Sequence, residues 1–248
     1  MEKKIIIFDI DGTLVESSEQ IMEKHADVLN KLKNNYEIAI CGGGTLQKAL
    51  YQMNDRVFFD HYFTECGCVY NKNNSKDSLN LQEIYVKNLR LHPSYPFFQN
   101  IIKEFLKQLC DVDYKLSGHF VDLRNGIVYL SCVGLQACKE ERETFIEYDS
   151  KNNFRKDVIL KLKRVCMGSN VVIKYGGSCG IAVYPFEYDK CQILDTINKK
   201  EYSKIVYFGD KYTEEGNDHL IMVNSYVTDH KIDNVEETYE ILEKNYLS

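Results

Sequence analysis

Two apolar runs, one near each end of the chain, both stop at an aspartate. Residues 3–8 contain three consecutive isoleucines and lead directly into Asp9, and residues 204–208 lead in the same way into Gly209 and Asp210. A continuous apolar run, as opposed to an alternating one, is typical of a strand buried on both faces of a parallel sheet. Ligand sites of open α/β sheets lie beyond the carboxyl ends of such strands. Both aspartates are therefore expected at a functional edge of one sheet.

The rest of the two chain ends supports this α/β pattern. A second strand is predicted over 36–41, with helical spacing of apolar residues before it and over 46–54 after it. Ser17 and Gln20 have capping-box spacing, which predicts that the first helix begins there. Near the carboxyl terminus, a short strand around Tyr226 and a helix from about 235 to 247 complete the pattern.

The middle of the chain has a different pattern. Two alternating segments are joined by Asn125-Gly126, a strong signal for a β-hairpin. A polar helical stretch follows over 139–166, with an interruption predicted near 151–153, and a second pair of strands is predicted on either side of Gly176-Gly177. Hairpins and helices in this order predict an antiparallel α+β unit inserted into the parallel domain. We place the core domain at 1–81 and 187–248, and the inserted domain at 82–186.

Charge and cysteine content exclude several classes of function. With 31 Lys and Arg against 37 Asp and Glu, the chain carries a net charge of −6, which argues against a broad nucleic-acid-binding face. A small phosphorylated ligand needs only a few local cations and remains compatible. Apolar runs are too short for a signal peptide or a membrane span. The nine cysteines are irregularly spaced, so we expect reduced thiols, a cytoplasmic location and no membrane partner.

Four features whose residue types could take part in catalysis or ligand binding fall at loops that follow predicted core strands. They are Asp9 with Asp11, the small residues 42–45, Lys190, and Asp210 followed by 216–218. Two carboxylates held close together raise each other's pKa unless a cation lies between them, and Mg²⁺ suits carboxylates that share a phosphate. Taken singly, each feature is explained as well by a solvated turn, a plain loop or a surface charge. Their order and positions together indicate a phosphate and metal site.

The same motifs resemble a known family. The segment 8–14 (Phe-Asp-Ile-Asp-Gly-Thr-Leu) resembles the first motif of haloacid dehalogenase (HAD) phosphotransferases, and 42–45, Lys190 and Gly209-Asp210 fall where the other three motifs would. The resemblance narrows to the eukaryotic-type phosphomannomutases on six further segments: Phe208–Lys211, Gly216–His219, Leu123–Ile127, Glu140–Arg142, Gly176-Gly177 and Val183–Pro185. It implies a HAD-like Rossmannoid parallel-sheet core with an inserted C2-type α+β cap that closes over a sugar.

The resemblance also implies a role for each motif residue. Asp9 would be the nucleophile that forms an aspartyl-phosphate, and Asp11 the general acid and base. Mg²⁺ would lie between the Asp9 carboxylate, the Asp11 backbone carbonyl and Asp210, supported by Asn217 or Asp218. The residues expected to hold phosphate and sugar are Thr13, Gly43, Thr45 and Lys190 in the core, with Arg124, Arg142 and Gly177 in the cap.

The implied activity is a Mg²⁺-dependent interconversion of mannose 6-phosphate and mannose 1-phosphate. A hexose 1,6-bisphosphate would serve as activator, a small sugar phosphate as the partner molecule, and the cap as the interface of a homodimer.

The sequence departs from this family pattern at several cap and loop positions. Ser18 and Leu135 stand where basic residues are expected, Gly180 and Ala182 replace a serine and an aspartate, and Gly44 replaces a hydroxyl residue beside Thr45. Two alternatives to the mutase therefore stay open. One is a HAD-type phosphatase with a diverged phosphate-ester substrate, and the other is a catalytically silent interaction protein.

Overall fold

The computed structural model of the chain describes residues 2–197 and 201–247. It divides into two compact units, a core unit (Met1–Lys87 with Tyr188–Ser248) and an inserted unit (Asn88–Glu187). The sequence placed the first boundary after residue 81. In the structure the next strand, Leu81–Val86, pairs with the strand before it, so the division falls after Lys87.

A seven-stranded sheet forms the centre of the core unit. Its strands are β1 (Lys3–Phe8), β2 (Glu37–Cys41), β3 (His61–Thr64), β4 (Val69–Asn73), β5 (Leu81–Val86), β10 (Tyr202–Gly209) and β11 (Val227–Lys231), in the spatial order β11-β10-β1-β2-β3-β4-β5. The five strands from β11 to β3 run parallel, whereas β4 and β5 extend the sheet in antiparallel pairing. The predicted α/β class is confirmed, with an antiparallel edge added to the predicted parallel sheet.

Strand β1 shows why its sequence is an unbroken apolar run. Ile6 and Phe8 point into one hydrophobic core, and Ile5 and Ile7 into a second core on the other side of the sheet. All four side chains are completely buried. Alternation would have exposed one face to water, so the run is the physical consequence of helices on both faces.

The helices of the core unit are α1 (Glu23–Leu32), α2 (Leu46–Met53), α6 (Ile193–Thr196), α7 (His219–Met222) and α8 (Val235–Tyr246). The predicted start of the first helix was wrong. Helix α1 begins at Glu23 behind Met22, which makes no side-chain capping bond. Residue Ser18 has a left-handed φ of 68° and its amide donates to the Asp11 carboxylate, so the segment before α1 is tied to the site loop.

The inserted unit is a four-stranded antiparallel sheet with helices on one face. Its elements are α3 (Tyr95–Gln108), β6 (Val121–Leu123), β7 (Val128–Ser131), α4 (Lys139–Asn152), α5 (Phe154–Val165), β8 (Val171–Gly176) and β9 (Gly180–Pro185), and the strand order is β6-β7-β9-β8. The predicted hairpin at Asn125-Gly126 is confirmed by the pairing of β6 with β7. The predicted interruption of the helical stretch near 151–153 is confirmed, because α4 and α5 are divided at Asn153, whose φ of 53° is left-handed. None of the described helices is long and apolar enough to cross a membrane.

Candidate active site

The candidate site lies at the carboxyl edge of the parallel strands. Phe8 pairs in register with both Ile40 and Phe208, so β1, β2 and β10 end close to one level. Asp9 continues from β1, the loop 42–45 from β2, and Asp210 from β10. Parallel strands bring their carboxyl ends to one edge, and that geometry places the first, second and fourth predicted motifs together.

Lys190 enters this edge from a single 3₁₀ turn, Lys190–Gln192. Its ammonium donates to Asp9 Oδ1 at 2.5 Å and to Asp218 Oδ1 at 2.7 Å, and its side chain is fully buried. Burial disfavours the charged form, but the two carboxylates outweigh burial and hold the pKa of Lys190 well above its ordinary value. The site therefore contains a permanent, desolvated positive charge next to Asp9.

The Asp9 carboxyl responds to the same surroundings in the opposite way. Burial, aided by the nearby charges of Asp218 and Asp210, raises the pKa of Asp9 to about 7, although Lys190 acts against this rise. A buried carboxyl group whose pKa lies near neutral pH changes its charge readily when a cation or a phosphate binds beside it. That property suits a nucleophile whose ionised form is needed only in the loaded enzyme.

Asp218 is fully buried, and both of its oxygens are engaged by the protein. Oδ1 accepts from Lys190 and, at 2.5 Å, from the Tyr207 hydroxyl, while Oδ2 accepts from the Lys211 amide at 3.0 Å. Asp218 thus fixes the direction of the Lys190 ammonium. Sequence reasoning missed Tyr207; its only signal was a hydroxyl inside the otherwise apolar run of β10.

Oxygen atoms suited to a divalent cation meet at the same place. Asp9, Asp210 and Asp218 each offer a carboxylate oxygen, and these atoms lie within 4.8 Å of one another. Among the described residues, the buried Oδ1 atoms of Asp210 and Asn217 have no hydrogen-bond partner. A buried oxygen without a partner is costly, and a hard cation with oxygen ligands would satisfy both. The residues present therefore fit Mg²⁺, with Asp218 the weakest candidate ligand because Lys190 and Tyr207 use its Oδ1.

Gly12 permits the close approach of the site loop to Asp210. Its φ is 87°, and a Cβ at this position would lie 2.6 Å from Asp210 Oδ2. Any larger residue would both strain the backbone and displace a predicted metal ligand. The glycine that follows the two aspartates is thus required by geometry.

The predicted phosphate-binding residues of the core differ in their surroundings. Thr13 is buried, and its Oγ1 has no hydrogen-bond partner among the described residues, so the hydroxyl has unused bonding capacity. Thr45 instead caps α2, because its Oγ1 accepts from the Lys48 amide at 3.4 Å. Gly43 lies in the loop after β2 with room for a Cβ, 3.7 Å from the Cys66 sulfur. Their roles toward a phosphate stay predictions.

Asp11 turns toward helix α2. Its Oδ2 accepts from Lys48 Nζ at 2.5 Å, and its Oδ1 accepts from Gln52 Nε2 at 2.8 Å and from the Ser18 amide at 3.1 Å. Burial favours the neutral acid, but the Lys48 charge and the hydrogen bonds outweigh burial and hold the pKa of Asp11 below its ordinary value. Asp11 is therefore ionised at neutral pH in this arrangement.

Lys48 and Gln52 were not predicted. They lie four residues apart on α2 and so share one helix face, a spacing that sequence inspection alone does not distinguish from surface positions. The resemblance led us to expect a basic residue where Ser18 stands. In the structure Lys48 supplies a cation to Asp11 from another element.

The remaining predicted residues lie in the inserted unit. Arg124 Nε donates to Asp122 Oδ2 at 2.6 Å. Arg142 is exposed on α4, and its Nε donates to the Ala137 carbonyl at 3.0 Å. Gly177 lies in the turn between β8 and β9. Binding of a sugar phosphate by these three residues stays a prediction.

Comparison with known proteins gives one consistent family. A sequence profile described as "Eukaryotic phosphomannomutase" matches residues 25–248. A phosphomannomutase of Encephalitozoon cuniculi is 32% identical over 241 residues, which cover 96% of this chain and 91% of the relative. A phosphomannomutase of Saccharomyces cerevisiae is 28% identical over 241 residues, covering 96% and 92%.

Solved structures agree at the level of the fold. An IMP-bound, N-terminally truncated IMP-nucleotidase of Plasmodium falciparum matches with a TM-score of 0.61 at 16% identity and covers 98% of this chain and 68% of its own. A trehalose-6-phosphate phosphatase related protein matches with a TM-score of 0.57 at 16% identity, covering 97% and 96%. At this identity the likeness concerns the HAD-like fold alone.

Proposed function

The chain belongs to the eukaryotic phosphomannomutase family, and on that premise we propose that it is a Mg²⁺-dependent phosphomannomutase that interconverts mannose 6-phosphate and mannose 1-phosphate. The observation that carries the proposal is the buried Lys190–Asp9 pair beside the partnerless oxygens of Asp210 and Asn217. A nucleophile, a fixed cation and a set of oxygen ligands are the parts that phosphoryl transfer requires.

In the proposed mechanism Asp9 carries the phosphoryl group. Its carboxylate attacks phosphorus of a hexose 1,6-bisphosphate, the new O–P bond forms, and the bond to the sugar oxygen breaks. Asp11, after leaving Lys48 and taking up a proton, donates that proton to the departing oxygen. In the reverse direction Asp11, which its lowered pKa keeps ionised, accepts the proton of the attacking sugar hydroxyl. The bisphosphate thus starts the cycle and is regenerated in it.

The other core residues stabilise charge. Lys190, held in place by Asp218 and Tyr207, donates to the Asp9 carboxylate that would carry the phosphoryl group. The Thr13 hydroxyl has a hydrogen bond to give to a phosphoryl oxygen. Mg²⁺, when bound by the Asp9 and Asp210 carboxylates and the Asp11 carbonyl with Asn217 or Asp218 in support, would neutralise charge on the phosphoryl oxygens.

A mutase also needs to hold the phosphate that is not transferred. We assign this task to Arg124 and Arg142, because a guanidinium grips phosphate through two parallel N–H bonds. Gly177 would allow the turn between β8 and β9 to approach the sugar.

A phosphatase is the second candidate function. Leu135 and Ala182 cannot make the polar contacts that the family pattern places there, and Gly180 has no side chain to do so. Weaker retention of a sugar bisphosphate would leave the aspartyl-phosphate exposed to water.

Phosphorus NMR separates the two functions. The protein is incubated with Mg²⁺, mannose 1-phosphate and a trace of glucose 1,6-bisphosphate, with Asp9→Asn as the matched control. Conversion to mannose 6-phosphate by the unmodified protein alone supports the mutase. Inorganic phosphate as the sole product indicates the phosphatase. Equal spectra for the two proteins would refute both.

A further inference from the structure

The sheet of the inserted unit has two chemically different faces. Side chains of Val128, Leu130, Ile181 and Val183 are completely buried on the face that carries α3 and α5. The other face carries one row of paired residues, in the order Asp122, Tyr129, Ala182 and Lys174. Each member of that row is half-buried, and none is fully enclosed. This face is therefore the one that can meet a ligand.

Tyr129 lies flat against the paired strand ends of the β8–β9 hairpin. Its hydroxyl donates to the Gly176 carbonyl at 3.0 Å. A Cβ built on Gly180 would lie 2.3 Å from the Tyr129 ring carbon Cζ and its hydroxyl oxygen, and one on Gly176 would lie 2.8 Å from Cε2. A side chain at position 180 and this placement of Tyr129 therefore exclude each other. The replacement of a serine by Gly180 is explained by the ring that covers it.

The hairpin under Tyr129 is itself fixed. Arg155 Nη1 donates to the Gly177 carbonyl at 2.8 Å, and its Nε donates to Asp149 at 2.7 Å. The Arg155 side chain is only 14% exposed, so these bonds are made in a largely dry environment. Tyr129 thus rests on a rigid support.

Above this support, Tyr129 contacts Arg124. The central guanidinium carbon lies 5.4 Å from the centre of the Tyr129 ring, within the range of a cation–π interaction. Nε of the same arginine donates to Asp122 at 2.6 Å. One contact restrains the plane of the guanidinium and the other restrains its rotation about Nε. Stacking on a ring uses the face of the group, whereas phosphate is gripped by N–H groups at its edge.

We propose that Tyr129 is a positioning residue that presents the Arg124 guanidinium to the phosphate group that is not transferred, and that Gly180 is present to make room for it. The inference rests on the proposed function in one respect, the assignment of Arg124 to phosphate. In this chain, a pre-oriented arginine replaces the direct contact that a serine side chain at position 180 would make. Preorganisation lowers the ordering cost of binding without adding a contact.

The first test is kinetic, with Tyr129→Phe, Tyr129→Ala and the control Tyr226→Ala. Tyr226 belongs to the core unit and is 66% exposed, so its removal deletes an equal ring that takes no part in the support of Arg124. Binding that is equal in ground and transition states changes KM and not kcat. We expect Tyr129→Ala to raise KM for mannose 1-phosphate about tenfold with kcat within about twofold. Tyr129→Phe keeps the ring and restores most of the affinity, and Tyr226→Ala leaves KM unchanged.

The second test does not depend on turnover. In ¹⁵N-labelled full-length protein, the Arg124 Nε–H signal is assigned by its loss in Arg124→Lys and followed during a titration with glucose 1,6-bisphosphate. We expect the signal to move on binding. In Tyr129→Ala it loses its ring-current shift, and the apparent Kd rises about tenfold.

A double-mutant cycle guards against general unfolding. Gly180→Ser displaces the Tyr129 ring in the unmodified background and is expected to weaken bisphosphate binding. In the Tyr129→Ala background the ring is already gone, so Gly180→Ser adds no further loss. Additive losses would overturn the inference. Circular dichroism and thermal unfolding identify any variant that is not folded.

The outcomes separate the two proposals. An Arg124 signal that responds to bisphosphate in a protein without phosphoryl transfer refutes the proposed function and leaves the inference standing. Normal transfer with unchanged KM in Tyr129→Ala refutes the inference alone. An Arg124 signal that ignores bisphosphate also refutes it.

Discussion

At the scale of the residue, the buried ammonium of Lys190 is shared by two carboxylates of the candidate site. A lysine without exposed surface is expensive unless carboxylates compensate it, and here Asp9 and Asp218 do so at 2.5 and 2.7 Å. The same arrangement makes each carboxylate dependent on the lysine. Removal of the lysine leaves both carboxylates in a dry site without their shared cation.

Replacement of the lysine therefore tests the arrangement. In Lys190→Met the two acids face each other without a cation, and we expect the free energy of unfolding at pH 8 to fall by about 3–5 kcal/mol. Urea unfolding measures this change. Lys190→Met with Asp218→Asn removes one facing charge and should recover part of the loss; equal stability of Lys190→Met and the unmodified protein would contradict the description of the site.

The raised pKa of Asp9 predicts how stability depends on pH. The pKa is about 7 in the folded protein and 3.8 in the unfolded reference, so the folded state holds the proton more tightly. Such a group stabilises the fold at low pH, and its contribution is lost as pH rises through the folded pKa. In EDTA, the free energy of unfolding of the unmodified protein should fall from pH 4 to pH 8 relative to Asp9→Asn.

Magnesium provides the control for this prediction. A bound cation favours the ionised carboxylate, so saturating Mg²⁺ should reduce the fall. Parallel pH profiles of the two proteins in EDTA would show that Asp9 has an ordinary pKa.

Gly12 gives a prediction about the metal site. Gly12→Ala places a Cβ 2.6 Å from Asp210 Oδ2 at a φ of 87°, so the loop or the aspartate has to move. We expect Mg²⁺ affinity, measured by calorimetry, to fall at least about tenfold. Gly168→Ala is the matched control, because Gly168 has a similar φ of 81° but nothing within 4 Å of its Cβ. A similar effect of both substitutions would attribute the loss to backbone strain alone.

At the scale of the element, helix α2 positions the Asp11 carboxylate through hydrogen bonds from its side chains. Thr45 caps the helix, and Lys48 and Gln52 project from one face toward the Asp11 carboxylate. The loop before α1 contributes the Ser18 amide to the same carboxylate, which explains why the capping-box spacing at Ser17 did not start a helix.

The contact of Lys48 with Asp11 predicts a shift in the pH profile of the reaction. Without the Lys48 charge, burial acts on Asp11 with less opposition and raises its pKa. The acidic limb of the kcat profile should therefore move to higher pH in Lys48→Met, if Asp11 is the base of the rate-limiting step. Gln47→Met, an exposed substitution on the same helix, should leave the limb in place. An unmoved limb in Lys48→Met would contradict the assignment of Asp11.

At the scale of the whole molecule, the two units have separate cores. The side chains at the two ends of the insertion meet within the core unit, where the Lys87 ammonium lies 4.7 Å from the centre of the Tyr188 ring. Two hydrophobic cores flank the sheet of the core unit, and none of their described residues belongs to the insertion. The insertion is thus a unit that a short linker can replace.

Deletion of 88–187 with a short glycine linker should consequently leave a folded core. We expect cooperative thermal unfolding by circular dichroism and retained Mg²⁺ binding, with loss of the mutase reaction because Arg124 and Arg142, the proposed phosphate ligands, are absent. Failure of the deletion variant to unfold cooperatively would show that the core depends on the insertion.

Sequence alone determined the fold class and the strand-end positions of Asp9 and Asp210. Both follow from local patterns, since an unbroken apolar run indicates a doubly covered strand and the next residues are necessarily at its end. The family followed from motifs of the same kind. The predicted start of α1 was wrong because a long-range hydrogen bond from the Ser18 amide to the Asp11 carboxylate competes with the local capping pattern.

Only the tertiary structure decided which side chains meet. Lys190 and Asp9 are 181 positions apart, Asp11 and Lys48 are 37 apart, and Tyr129 and Gly176 are 47 apart. The residue pattern within a single helix or strand cannot encode contacts between residues so far apart in the sequence. These contacts arise from the packing of helices and strands against one another. That packing makes a lysine of helix α2 the partner of Asp11, and it places Tyr129 over the space left by Gly180.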